Sequence, residues 1–170
     1  MRVYLPATIG MLRQLVDEGE FRPRSGTGFA LTPALRESYT SGSTEELEYA
    51  ALLDAARASL RLLAVAQEPS AADSKEPPRR VVVSADVDDV TLRPDLDSAV
   101  VRLGGPVRLS DVAAVHVDAP EAEEAVRAAT AVIDEADLGD PDAEFALGEV
   151  EDHDLAWYAP QELPFFLELM

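Results

Sequence analysis

Tyr4 stands two residues before Pro6, and Tyr158 stands two residues before Pro160. Each tyrosine belongs to a short apolar run that enters proline and then a helix-like segment: Val3-Tyr4-Leu5-Pro6 near the start, Trp157-Tyr158-Ala159-Pro160 near the end. If the two runs are neighbouring parallel strands, both tyrosines face one side, with Thr8, Gln161 and Glu162 just beyond the strand ends. Loops and helix N-termini converge on that edge of an open α/β sheet, so Tyr4, Thr8, Tyr158, Gln161 and Glu162 form the candidate ligand-binding set. The plainer account is that tyrosine favours strands and proline favours first helical turns. On that account Trp157, the single tryptophan, is a core residue.

Carboxylates and histidines give a second set of candidates. Asp86 and Asp88 close a valine-rich strand and share its polar face with Ser84. Oxygen ligands in that arrangement suit Mg²⁺ or Ca²⁺, although the spacing is not that of an EF-hand loop. His116 and Asp118 form a His-x-Asp pair on one strand face, and His153 lies between Asp152 and Asp154. Asp86, Asp88, His116 and Asp118 are therefore the candidate metal ligands, and either histidine has a general base's chemistry. In a mostly apolar strand, His116 reads first as a hydrogen-bonded structural residue. There is no Gly-x-Ser-x-Gly elbow, Walker loop or dinucleotide fingerprint, and Ser25-Gly26-Thr27-Gly28 is too short to cradle a phosphate. No motif implies a cofactor, and an enzymatic activity is left open.

The chain has a net charge of −19, and the charge is split unevenly. Residues 1–80 carry ten Lys/Arg against eleven Asp/Glu, whereas residues 81–170 carry four against twenty-two. No Lys or Arg follows Arg127, and the run Asp134 to Asp154 holds ten carboxylates. This acidity argues against direct binding of nucleic acid or anionic membrane, both of which need Lys/Arg to displace counterions. A basic partner is the reading it favours, through a face carrying Asp134, Glu135, Asp137, Asp140, Asp142 and Glu144. A more distant reading is mimicry of nucleic acid by Glu121, Glu123, Glu124, Asp134 and Glu135. With no cysteine, disulfides, thiol nucleophiles and thiolate metal sites are excluded. The first eight residues read as a strand and not as a signal peptide, so the expected compartment is the cytoplasm.

Among the elements that must position these residues, a helix over 44–66 is the clearest. Ser43 and Glu46 have capping-box spacing, and apolar residues cover most of the helix circumference, leaving Asp54, Arg57 and Arg61 as a narrow polar stripe. Thr8 caps an earlier helix that Gly19 ends, and Thr32-Pro33 opens a short one. Strands are expected at 3–6, 81–87, 99–103, 112–117 and 155–159. A helix after Asp118 takes that residue as its cap and carries Ala122, Val126, Ala129 and Ile133 on its apolar face. Residues 135–152 read as acidic and irregular, with a short strand at Phe145-Ala146-Leu147. Residues 67–80, rich in Pro, Ser and charge, read as a mobile loop. The resulting fold is one α/β (or α+β) domain over 1–170. Its mixed sheet has four to six strands, the first and last both central, with the long helix packed on one face.

Three segments, Met1-Arg2-Val3-Tyr4-Leu5-Pro6-Ala7-Thr8, Glu45-Glu46-Leu47-Glu48-Tyr49-Ala50-Ala51, and His153 to Leu163, resemble a family of small actinobacterial proteins. That family is functionally uncharacterised, so the resemblance implies a bacterial single-domain protein and carries over no activity, cofactor or site residue. The functional expectation is a non-catalytic binding or regulatory protein that engages a basic partner. The alternative is a small enzyme or small-molecule-binding domain at the strand ends.

Overall fold

Thr8, capping the first helix as its position suggests, accepts a hydrogen bond from the Met11 amide at 3.2 Å; Gly19 closes that helix in the left-handed conformation. The computed structural model describes residues 1–66 and 75–170. In chain order the first elements are β1 (Arg2–Ala7), α1 (Ile9–Glu18), β2 (Glu20–Phe21), β3 (Thr27–Phe29), α2 (Pro33–Ser38) and α3 (Thr44–Ala66). Then come β4 (Val81–Asp86), β5 (Val90–Leu92), β6 (Val100–Leu103), β7 (Val107–Arg108) and β8 (Val112–Asp118). The chain continues through α4 (Glu123–Ala131), α5 (Ile133–Asp137), α6 (Pro141–Glu151), β9 (Leu155–Tyr158) and α7 (Leu163–Glu168). Among the described residues no helix is long and apolar enough to cross a membrane.

Seven strands form one sheet in the order β5-β6-β3-β1-β4-β8-β9, and every pairing is antiparallel. The α/β class is as expected; the mixed sheet of four to six strands is not. The extra strands of this sheet, β3 and β5, are three residues long, the two-residue β2 and β7 pair separately with each other, and none of the four has an alternating pattern of its own. β3 is the instructive one, because its Thr-Gly-Phe sequence reads as loop. A Cβ at Gly28 would sit 2.8 Å from the Leu5 side chain, so glycine is what lets this strand lie against β1. The last strand is also displaced from its expected place: β1 is central, but β9 forms an edge.

The sheet is buried on both faces. Val3, Leu5 and Ala7 of β1 point with Val81, Val83 and Ala85 of β4 into a core closed by Leu12, Leu15, Leu163 and Leu167 of α1 and α7. Tyr4, Phe29 and Val82 face the other way, against Ala51, Leu52, Ala55 and Ala56 of α3. A third cluster joins Leu60 and Leu63 of α3 to Val126, Ile133, Ala136, Leu147 and Val150 of α4, α5 and α6. The α3 boundaries match the sequence reading, and Ser43 Oγ accepts from the Glu46 amide at 3.2 Å. The reciprocal half of the box differs from the sequence pattern: the Ser43 hydroxyl donates to Glu46 Oε1 at 3.3 Å.

The acidic run is helical, which corrects both the irregular stretch and the strand placed at Phe145-Ala146-Leu147. Asp140 caps α6, accepting from the Ala143 amide at 2.9 Å, and Pro141 occupies its first turn. Ala143, Leu147 and Val150 then recur at helical spacing and are buried. The polar stripe of α3 is what this segment docks on. Arg61 grips Asp137 through two bonds of 2.7 and 2.8 Å, while Arg57 reaches Asp137 at 3.2 Å and Glu144 at 3.4 Å.

The hydrogen bond from Arg61, helped by Arg57 and opposed by partial burial, holds the Asp137 carboxyl below its usual range. A carboxyl depressed in the folded state contributes stability above its unfolded value of about 3.9, and loses that contribution as pH falls through the lower folded value. Because the pair is partly solvent-exposed, Asp137→Asn is expected to cost only about 0.2–1 kcal/mol at pH 7, a Tm drop of roughly 1–4 °C. Thermal melts of both proteins should converge near pH 2 and in high salt. A gap that persists under either condition would contradict the ion-pair account.

Of the expected mobile loop at 67–80, residues 67–74 lie outside the described residues. Residues 75–80 are tied down: Glu76 pairs with Arg13, Arg79 with Glu123 and Arg80 with Asp118.

Candidate functional site

Because β1 and β9 are separated by β4 and β8, Tyr4 and Tyr158 are not neighbours. The cross-strand register runs Leu5, Val83, Val115, Tyr158 in one row, and Pro6, Val82, His116, Trp157 in the next. Tyr158 therefore shares the Leu5 face, where its ring stacks on Phe166 at 4.4 Å, whereas Tyr4 lies on the α3 face. The strands also run in opposite directions, so Thr8 and the Gln161–Glu162 turn lie at opposite ends of the sheet. The five-residue ligand set does not converge. Tyr4 alone of the five lines the cleft described below, and Thr8 serves as a helix cap.

The four metal candidates are also separated. Asp86 is bound bidentately by Arg2, at 2.7 and 3.1 Å, at one end of β4; Asp118 lies past the opposite end, across from Arg80. The six residue steps from Asp86 to Arg80 span about 20 Å. Asp118 does not cap the helical segment that follows: Ala119 is the N-cap of the 3-10 turn Pro120–Ala122, Ala122 is that of α4, and the Asp118 carboxylate is spent on Arg80. Asp88 is exposed in the turn after β4. Among the described residues, no group of three or more His, Asp or Glu is placed to hold a metal ion.

The residues that do converge are on the α3 face. α3 lies over β3, β1 and β4, and the sheet continues past it. The strip left beside the helix is a cleft of two adjoining lobes, about 280 and 360 Å³. Tyr49, Leu52, His116 and Trp157 belong to both lobes. Strand alternation places His116 and Trp157 side by side on this face, between the buried Val115 and Val117. Trp157 is 60% exposed at the mouth, which overturns its expected place in the core, and Tyr49 faces it from α3 with half its surface exposed.

The polar groups of the first lobe are held in fixed states. Tyr4 donates its hydroxyl to Glu48 Oε2 at 2.9 Å. Burial and this acceptor push the tyrosine up to about 12, so it remains a neutral donor at physiological pH. Ser84 Oγ and His116 Nε2 are hydrogen-bonded at 2.9 Å. Burial, with the Arg2 charge adding to it, lowers the His116 pKa and favours the neutral ring. Ser84 is buried in mid-strand, and no carboxylate orients the ring among the described residues. The pair thus has a nucleophile and a base but not the third member of a relay.

Electrostatically the cleft is acidic. Its two arginines are already neutralised, Arg2 by Asp86 at the rim and Arg80 by Asp118 at the base. Glu45, Glu48 and Asp154 line it without a salt-bridge partner among the described residues. Glu45 also lies in the first turn of α3, where the helix dipole favours a carboxylate. Glu48 is a turn further on and is aimed into the lobe by Tyr4.

The sequence reading named Tyr4 and His116, but for other partners, and missed Glu48, Tyr49, Ser84 and Arg80 as a set. One signal was available: a histidine and a tryptophan each interrupt a strand's apolar alternation, as residues on an incompletely covered face do.

The fold and cleft define a three-layer α/β protein with an aromatic-walled, acidic pocket beside its longest helix. The chain belongs to DUF6912, a family of unknown function whose model matches residues 1–167. This bears out the resemblance to a functionally uncharacterised family and brings no activity with it. No curated protein and no solved structure matches the chain.

Proposed function

We propose that this chain is a non-catalytic binding protein of the bacterial cytoplasm whose α3-side cleft receives a cationic group. The observation that carries the reading is the meeting of Glu48, Tyr49 and Trp157 around one lobe of a cleft whose two arginines, Arg2 in that lobe and Arg80 in the other, are already paired. An ammonium or guanidinium group there has a carboxylate to bond and aromatic faces to stack on, and such contacts strengthen when partly desolvated. The favoured partner is still basic, but the receptor is the cleft and not the acidic run. Of that run's six candidate carboxylates, Asp137 and Glu144 pair with α3 and Asp140 caps α6, which leaves Asp134, Glu135 and Asp142 for a partner.

The single tryptophan makes the test direct, because Trp157 is at the mouth. Arginine amide and tetramethylammonium are expected to shift Trp157 fluorescence saturably, with affinity falling as salt rises. Glu48→Gln removes a charge-assisted contact of ~1.5 kcal/mol and should weaken binding about tenfold. No saturable response to either cation, or equal affinity in Glu48→Gln, would contradict the proposal.

A further inference from the structure

Among the described residues, β9 has a strand partner on one side only. It pairs with β8 through Asp118↔Leu155, Val117↔Ala156, His116↔Trp157 and Val115↔Tyr158, and nothing in the sheet follows it. Exposed edge strands are normally guarded by charges, proline or a bulge that disfavour pairing with another chain. The opposite edge follows that rule: β5 is three residues long, with Asp88 and Asp89 before it and Arg93 and Pro94 after it. Within Leu155-Ala156-Trp157-Tyr158 there is no charge, no proline and no register shift. The charges are at its two ends, Asp152 and Asp154 before and Glu162 after, and all are acidic.

We infer that β9 is a docking edge for an extended basic segment of a partner protein, which adds to the sheet as an eighth strand and sends alternate Lys/Arg side chains into the cleft. This inference rests on the cationic reading of the cleft and adds the partner's backbone to it. The geometry fixes a pattern. Leu155 and Trp157 lie on the cleft face, so residues of an added strand opposite them turn their side chains toward Trp157, Tyr49 and Asp154. Residues opposite Ala156 and Tyr158 turn to the other face, where the Tyr158–Phe166 stack is apolar. The recognised segment is therefore Lys/Arg, apolar, Lys/Arg, with main-chain hydrogen bonds giving affinity and alternate pockets giving specificity. A second copy of this chain is disfavoured as the occupant, because pairing β9 with β9 would bring the acidic flanks of two chains of net charge −19 together.

The test uses the full chain and three probes: a short capped peptide alternating arginine and valine, the same peptide N-methylated at alternate amides, and arginine amide. The unmodified peptide should bind more tightly than arginine amide, shift Trp157 fluorescence and slow hydrogen exchange of the β9 amides. N-methylation keeps every charge but removes backbone donors, and the loss of two or more such bonds should weaken binding roughly tenfold. Equal affinity of the two peptides with unchanged β9 exchange overturns the added strand while leaving the cationic cleft standing. Failure of all three probes overturns both. A concentration-dependent dimer that protects β9 without peptide assigns the edge to a second copy and also overturns the inference.

Discussion

Asp118→Ala is expected to lower the unfolding free energy by about 3–5 kcal/mol, because it leaves the Arg80 guanidinium buried without its counter-charge. For a chain of this length that corresponds to a Tm decrease on the order of 6–20 °C. The side chains of Arg80 and Asp118 are 3% and 0% exposed. Asp118 Oδ2 accepts from both the backbone amide and Nε of Arg80, and Oδ1 accepts from Nη2, each at 2.8 Å. Nη2 also donates to the His153 carbonyl at 2.8 Å, and the Asp118 amide donates to the Arg80 carbonyl at 3.1 Å. One ion pair thereby locks the start of β4, the end of β8 and the approach to β9. Removing both charges in Arg80→Met/Asp118→Leu should restore most of the loss, since apolar pairs of similar volume replace buried ion pairs at little cost. Chemical denaturation of the three proteins measures this. A loss below 1 kcal/mol in Asp118→Ala would mean that the pair is hydrated and not a lock.

The second large effect is expected inside the acidic run. Leu147→Ala should cost about 2–5 kcal/mol, the range for deleting a fully buried leucine side chain and leaving a cavity. Leu147 is 1% exposed in the cluster that joins α6 to Leu60 and Leu63 of α3. Phe145, two residues earlier on the same helix, is 70% exposed, and Phe145→Ala should stay within about 0.5 kcal/mol. The contrast separates a docked helix from an acidic tail that carries apolar residues by chance. Equal and small effects at the two positions would contradict the docking of α6.

The parts of the fold legible in the sequence are those whose signals are local. Thr8, Gly19, Ser43 and Thr32-Pro33 mark helix ends because capping is decided within four residues. The long α3 and the valine-rich strands were legible from periodicity. Strand order was not, because pairing depends on contacts far apart in sequence, and β2, β3, β5 and β7 are too short to declare a period. The acidic helices were hidden differently: charge density drew attention from Asp140-Pro141 and from Ala143, Leu147 and Val150, which together mark a capped helix with one buried face. For the site, residue types were readable but partners were not. Tyr4 and His116 stood out, yet Glu48 becomes Tyr4's acceptor, and Ser84 becomes His116's partner, only once β1, β4, β8 and α3 are brought together. Asp118 illustrates the limit. Its place before Pro120 reads as a helix cap, and only the packing of Arg80 against it shows that a buried ion pair takes its oxygens instead.

The central claim is that the cleft, and not the acidic run, receives a cation. The most direct measurement is amide and side-chain NMR of the uniformly labelled chain titrated with arginine amide at fixed ionic strength. With one tryptophan, the indole Nε1–H gives a single signal at the cleft mouth. The account expects saturable shifts concentrated at that signal and at Glu48, Tyr49 and His116, with residues 134–144 unmoved. Shifts that grow without saturation across residues 134–144, while the Trp157 indole and His116 stay in place, would contradict it.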